Sequence, residues 1–252
     1  MTAHVSEIPV LETRAVTRHF GALTAVNGVS LCVSHGIQSI IGPNGAGKTT
    51  FFNLLAGFLV PDKGGIFYRG KEITGLAPYE ISQMGIGRSF QITSIFPGLS
   101  VYENVRVARQ SRSKSRYNFI MSCERLPGVE TDTKRILSQM GLEDWADSPA
   151  KNLPYGLQRC LDIGISLATD PQVLLLDEPT SGMSAEDSSV ILKFIAEISK
   201  SIPVVLIEHN IDMVLAISDR IAVLYQGLLL AEGTPAEIQA NQEVQEAYLG
   251  GY

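Results

Sequence analysis

Short, mostly apolar runs at 37–41, 173–176 and 204–207 read as strands buried on both faces of a sheet. Looser alternation over Leu11–Arg18 and Val26–Val33 predicts two more strands, with Gly21 in the turn between them. Ile66–Tyr68 and Ile86–Phe90 add short strands, and Arg220–Tyr225 with Leu228–Glu232 form a hairpin about Gln226-Gly227. Between the runs the period changes to that of helices. Phe51–Ala56 is a helix stopped by Gly57, Pro78–Gln83 a short one, and Val101–Arg109 a helix capped by Ser100 with Glu103 at the capping-box position. Ile136, Leu137 and Met140 share a helix face that Gly141 ends, and Gln158–Ala168 is a helix broken at Asp170-Pro171. In Ala185–Ser199, the stripe of Val190, Phe194 and Ile198, with Ile191 and Ile195 beside it, is the expected core face. A further helix runs through Met213 and Val214.

Strands alternating with helices imply an α/β fold with a mainly parallel sheet wound by helices, plus an antiparallel β region. From Val101 to Leu153 strand signals are sparse and helical ones dominate. The expected organisation is therefore one domain of 252 residues. Its α/β core comprises 1–90 and 158–252, and a helical subdomain occupies about 91–157.

Composition narrows the class. A 45% hydrophobic share supports a real core, and a net charge of −6 gives no global positive field for nucleic acid. The run Arg112, Lys114, Arg116 sits among serines and reads as a solvated loop. Cys32, Cys123 and Cys160 have no paired spacing, which fits a reducing compartment rather than a disulfide framework or a zinc site. The start shows no secretory pattern. The apolar-rich stretch from Ile202 to Ala231 is interrupted by Glu208, His209, Asp212, Asp219 and Arg220, so no segment is expected to span a bilayer. A membrane role would come through a partner.

Candidate chemistry begins where the first buried run ends, at Gly42-Pro43-Asn44-Gly45-Ala46-Gly47-Lys48-Thr49-Thr50. The spacing is that of a phosphate-binding loop in its strand–loop–helix setting. Small residues let backbone approach a phosphate, and the following helix adds the positive end of its dipole. Lys48 supplies a charge for the β- and γ-phosphates and Thr49 a hydroxyl for Mg2+. Asp177 and Glu178 stand at the end of the 173–176 run, the end where such sheets bind ligands. Asp177 is a candidate for holding Mg2+, and Glu178 for polarising water for attack on the γ-phosphorus. Alone, the pair would read as a strand–helix cap. His209 follows a third strand and is a candidate γ-phosphate contact. Phe20 either packs its turn or stacks on a nucleobase.

The set GPNGAGKTT, Gln91 after a strand, Leu153-Pro154-Tyr155-Gly156-Leu157-Gln158-Arg159, LLLDEPTSGMS and Glu208-His209 resembles the ATP-binding-cassette (ABC) transporter ATPases in order and spacing, from Leu11 to Leu249. The resemblance implies a P-loop NTPase that uses ATP and Mg2+. It makes Phe20 the adenine-stacking aromatic, and Gln91 a magnesium and water contact. Thr49, Gln91 and Asp177 become the metal set, and Ser181–Ser184 the loop that crosses between subunits. Pro154, Tyr155 and Gly156 fall in the signature that contacts the partner's nucleotide. Gly87–Gln91 through Phe96–Val105, and Ala231–Ile238 through Ala247–Gly250, look like the branch that imports branched-chain amino acids, urea and short amides. The implied partners are transmembrane permease subunits, a second ATPase subunit and, indirectly, a solute-binding protein. The implied place is the cytoplasmic face of the plasma or inner membrane. The related alternatives are a lipopolysaccharide- or lipid-exporter ATPase and a weakly hydrolysing regulatory subunit. The signature departs from the family's Leu-Ser-Gly-Gly-Gln or Leu-Ser-Tyr-Gly-Gln at Pro154 and Leu157. Proline offers neither a hydroxyl nor an N–H, so pairing with a different ATPase chain is expected.

Overall fold

A computed structural model describes residues 8–89, 95–112 and 128–249. Gln91, Cys123, Lys114 and Arg116 lie outside the described residues. The chain forms two compact units, the described parts of Met1–Ile81 with Ile198–Tyr252, and of Ser82–Glu197.

The first unit opens with strands β1 (Leu11–Phe20) and β2 (Leu23–Val33), then β3 (Ile37–Ile41), helix α1 (Lys48–Leu55), strands β4 (Lys63–Tyr68) and β5 (Lys71–Glu72), and helix α2 (Pro78–Met84), which leads into the second unit. β1, β2, β4 and β5 form an antiparallel sheet in the order β2-β1-β4-β5. The β4–β5 turn falls at Arg69-Gly70, both with positive φ. α1 starts at Lys48 rather than Phe51, because Gly47 turns the chain left-handed directly into the first helical turn.

The second unit holds β6 (Ile86–Arg88), α3 (Val101–Ser111), α4 (Val129–Gln139), α5 (Tyr155–Ala168), β7 (Val173–Asp177) and α6 (Ala185–Ser199). β6 and β7 pair in parallel, with Arg88 opposite Leu175. Ser100 caps α3 by accepting from the Glu103 N–H at 3.1 Å. The expected return half of the box is absent, because the Glu103 carboxylate is taken by Arg106 at 2.9 Å. In α6 the core stripe is Ser188, Ile191, Leu192 and Ile195, while Val190 is 47% exposed. The apolar run is wider than one face, and packing buries the face one residue on from Val190. α5 begins at Tyr155, three residues before the expected start at Gln158.

The chain returns to the first unit with β8 (Val204–Ile207), α7 (Ile211–Ile217), β9 (Arg220–Tyr225), β10 (Leu228–Gly233), α8 (Pro235–Ala240) and α9 (Gln242–Leu249). β3 lies between β8 and β9, parallel to both, and β10 runs antiparallel to β9. All of β3 and β8 is buried, as the continuous apolar runs require. Phe51, Phe52, Leu54 and Leu55 of α1 are at most 1% exposed. α8 carries a complete capping box between Thr234 and Glu237. Among the described residues no helix is long and apolar enough to cross a membrane.

Candidate functional site

In the first unit the phosphate-binding loop leaves the C-terminal end of β3. Gly42 has φ 155, and a Cβ there would lie 2.1 Å from the Leu224 carbonyl oxygen of β9. A Cβ on Gly47, at φ 99, would meet the Ala25 carbonyl oxygen at 2.2 Å. Both glycines are thus required by backbone that closes on the loop from another strand, as well as by their dihedrals. Gly227 of the β9–β10 turn donates to the Ala46 carbonyl at 3.0 Å. These contacts hold the outer side of the loop, while Asn44 and Gly45 are exposed and Thr50 is half-buried.

Lys48 is the first residue of α1 and is buried. Its ammonium donates to the Gly42 carbonyl at 2.7 Å and the Pro43 carbonyl at 3.0 Å. The lysine is therefore folded over its own loop, at the positive end of the α1 dipole. Both features suit the polyanion of a nucleotide. Thr49 is exposed beside it.

β8 runs parallel to β3 with Ile40 opposite Ile207. Gly42 and His209 therefore leave neighbouring strands at the same end. The His209 side chain is 58% exposed, with Nδ1 at 3.9 Å from Oε2 of the buried Glu208. Phe20 ends β1, 45% exposed. The Arg18 guanidinium, two residues earlier on the same strand face, lies 5.1 Å from its ring centroid. Arg18 is itself held by the Val60 carbonyl at 3.0 Å and Asp62 at 3.1 Å.

Tyr248 entered the sequence reading only within the Ala247–Gly250 ending, with no role at the loop. This residue of α9 packs on the cluster containing Ile41 and Val223. Burial pushes its pKa up to about 12, and a hydrogen bond with the Gly42 backbone pulls the other way. The C-terminal helix thus reaches the first glycine of the loop.

The second unit carries Asp177 and Glu178 at the end of β7. Asp177 is 2% exposed and faces Arg88 at 3.6 Å. Burial draws the Arg88 pKa down, and the Asp177 carboxylate opposes that shift. The alternation of β6 contained this partner, since Arg88 is its one basic residue. Glu178 has φ 46. That left-handed conformation costs a non-glycine residue about 1–3 kcal/mol, and Ala15, Arg69, Asp170 and Gln226 share it. The Glu178 carbonyl accepts from the Ser181 N–H at 3.1 Å.

Pro154 is the N-cap of α5, with φ −52 and no side-chain cap bond. Tyr155 and Gly156 form the first turn, and Gln158 donates from its side chain to the Leu153 carbonyl at 2.9 Å. Gln91 lies outside the described residues. Among the described residues no group of three metal-ligating side chains is found.

The family described as ABC transporter matches residues 26–181, and that described as branched-chain amino acid ATP-binding cassette transporter matches residues 229–252. The high-affinity branched-chain amino acid transport ATP-binding protein BraF of Pseudomonas aeruginosa is 38% identical, over 96% of this chain and 98% of that one. The corresponding protein LivG of Escherichia coli is 38% identical over the same shares. Among solved structures, the ADP conformation of MJ1267, an ATP-binding cassette of an ABC transporter, superposes with a TM-score of 0.83. It is 30% identical and covers 96% of this chain and 99% of that one.

Proposed function

This chain belongs to the ATP-binding-cassette transporter family and is an ATPase, and we propose that it powers an importer of branched-chain amino acids. The observation that carries the reading is the pairing of a formed phosphate loop, with Lys48 on the Gly42 and Pro43 carbonyls, with a C-terminal segment, 229–252, of the branched-chain type. Transmembrane permease subunits are its partners, and it sits on the membrane peripherally, at the cytoplasmic face.

In this reading Gly42, Pro43, Asn44, Gly45, Ala46, Gly47 and Thr50 shape the phosphate cradle, and Lys48 balances the β- and γ-phosphate charge. Phe20, backed by Arg18, stacks on the adenine. Glu178 takes the proton of the attacking water as general base. His209 donates a hydrogen bond to the γ-phosphate. Thr49, Asp177 and Gln91 are the residues that would hold Mg2+. Hydroxyl, carboxylate and amide oxygens are the hard donors that ion requires, and Thr49 is exposed. Bound Mg2+ would neutralise charge on the β- and γ-oxygens.

A second ATPase chain completes the pair. Pro154, Tyr155 and Gly156 meet the partner's nucleotide, and Pro154 brings neither hydroxyl nor N–H to it. A heterodimer, with the intact signature on the other chain, keeps this chain's own nucleotide productive. The test is ATP-driven uptake of labelled leucine, isoleucine and valine by the reconstituted transporter. Accumulation that is lost in Glu178→Gln is expected. Outward movement of lipid without amino-acid uptake would replace the importer by the exporter reading.

A further inference from the structure

The first turn of α5 and the loop after β7 are joined inside the second unit. Tyr155 Oη donates to the Ser181 carbonyl at 3.2 Å. Its ring lies against Gly182, where a Cβ would stand 3.7 Å from the nearest ring carbon. One residue on, a Cβ at Gly156 would come within 3.3 Å of both Met183 Cε and Asp187 Cγ. Helix turn and loop are thus packed at close range over two successive positions. The Arg159 guanidinium, one turn along α5, lies 5.6 Å from the Tyr155 ring centroid and restrains it further.

Ser181 is committed through its N–H as well. Its N–H donates to the Glu178 carbonyl at 3.1 Å, closing the turn in which Glu178 is held at φ 46. A left-handed non-glycine residue keeps that conformation only while its surroundings enforce it. Tyr155, Ser181 and Glu178 therefore form one continuous chain of contacts. Pro154 fixes the backbone entering that chain, with φ −52.

We propose that Tyr155 is a positioning residue that ties the signature turn of α5 to the turn aiming Glu178, so that engagement of the signature by the partner's nucleotide is transmitted to this chain's own hydrolytic carboxylate. The inference rests on the assignment of Glu178 as general base. It adds a route by which one subunit's closure sets the activity of the other site. Tyr155 is 45% exposed, so loss of the hydroxyl leaves the fold intact.

The experiment compares Tyr155→Phe and Glu178→Gln in the assembled transporter. Tyr155→Phe removes one neutral hydrogen bond, so kcat for ATP hydrolysis should fall about 3- to 10-fold. ATP affinity of the isolated subunit, set by its own Gly42–Thr50 loop, should stay at the wild-type value, and deuterium uptake over Ser181–Ser184 should rise. A merely structural role would leave kcat untouched, or would move KM and kcat together. Wild-type kcat in Tyr155→Phe, with Glu178→Gln reduced to the residual slow-site rate, overturns the tether and leaves the Glu178 assignment standing. A raised KM at unchanged kcat overturns it too. Full turnover by Glu178→Gln overturns the parent reading, and the tether with it.

Discussion

At the scale of single residues, burial and backbone approach decide what each side chain can do. Lys48 is held by two carbonyls of its own loop. Lys48→Ala removes the charge-assisted bonds to phosphate, and ATP affinity should drop about 10- to 100-fold in a fluorescent-nucleotide titration. On the proposed assignment of Glu178 as general base, Glu178→Gln keeps the shape and the affinity but removes the base, so steady-state hydrolysis should fall to the residual rate of the partner's slow site while ATP still binds. Buried Cys160 and half-buried Tyr248 set an alkaline limit to stability. Burial, the larger cause, raises the Cys160 thiol to about 11, and Tyr248 is raised to about 12. Both groups are protonated in the folded and unfolded chain at neutral pH. As pH rises past their ordinary values the unfolded chain loses protons first, so stability is complete below that range and falls through it. Urea midpoints should therefore be level to about pH 9 and decline above it. The decline should be shallower in Tyr248→Phe, and a profile unchanged by that substitution would contradict the burial of its hydroxyl.

At the scale of elements, caps and faces carry the information. α8 has both halves of its capping box, and Thr234→Ala should cost about 1 kcal/mol in chemical denaturation. α5 is the opposite case, an N-cap without a side-chain acceptor. Pro154→Ser supplies one and should raise stability by several tenths of a kcal/mol, up to about 1. The loop before α3 has a different interest. Asn104 pins it through the Phe96 N–H at 2.7 Å and the Ser100 carbonyl at 2.9 Å, yet Phe96 is 55% exposed and Leu99 39%. A pinned loop that shows apolar side chains suits a permease contact. Phe96→Asp should uncouple transport from hydrolysis while the far-UV spectrum and melting temperature of the subunit stay unchanged. Normal uptake in that variant would place the contact elsewhere; residues 92–94 of the same stretch lie outside the described residues.

At the scale of the whole molecule, the proposed heterodimer has the signature and the phosphate loop act on different nucleotides. In a head-to-tail pair, this chain's loop meets the partner's signature, and Pro154 meets the partner's ATP. One charge-assisted bond would be missing there, which should slow that site by about 10- to 100-fold. A purified homodimer carries the defect twice and should be a poor ATPase. In the native pair, removing the partner's catalytic glutamate should cost less turnover than Glu178→Gln does here. Equal losses would show that the two sites are equivalent. Pro154→Ser with Leu157→Gln should speed the slow site, measured as hydrolysis by the Glu178→Gln complex.

The sequence alone determined the features whose physics is local. A phosphate loop needs adjacent small residues and Lys48-Thr49 between a strand and a helix, and a strand buried on both faces must be apolar throughout. Those constraints act over a few neighbouring positions, so Gly42–Thr50, the runs at 37–41, 173–176 and 204–207, and the hairpin at Gln226-Gly227 were all legible. The ordered set of motifs added the family. Tertiary structure decided whatever depends on distant segments meeting. Val190 and Ile191 are equally apolar, and only packing chose which one is buried in α6. Gly42 is forced by a carbonyl from residue 224, Tyr248 reaches that glycine from the C-terminal helix, and Tyr155 meets Ser181 across a gap of 26 positions. Periodicity carries no record of such pairings, because each is set by how strands and helices stack rather than by the residues on either side of it.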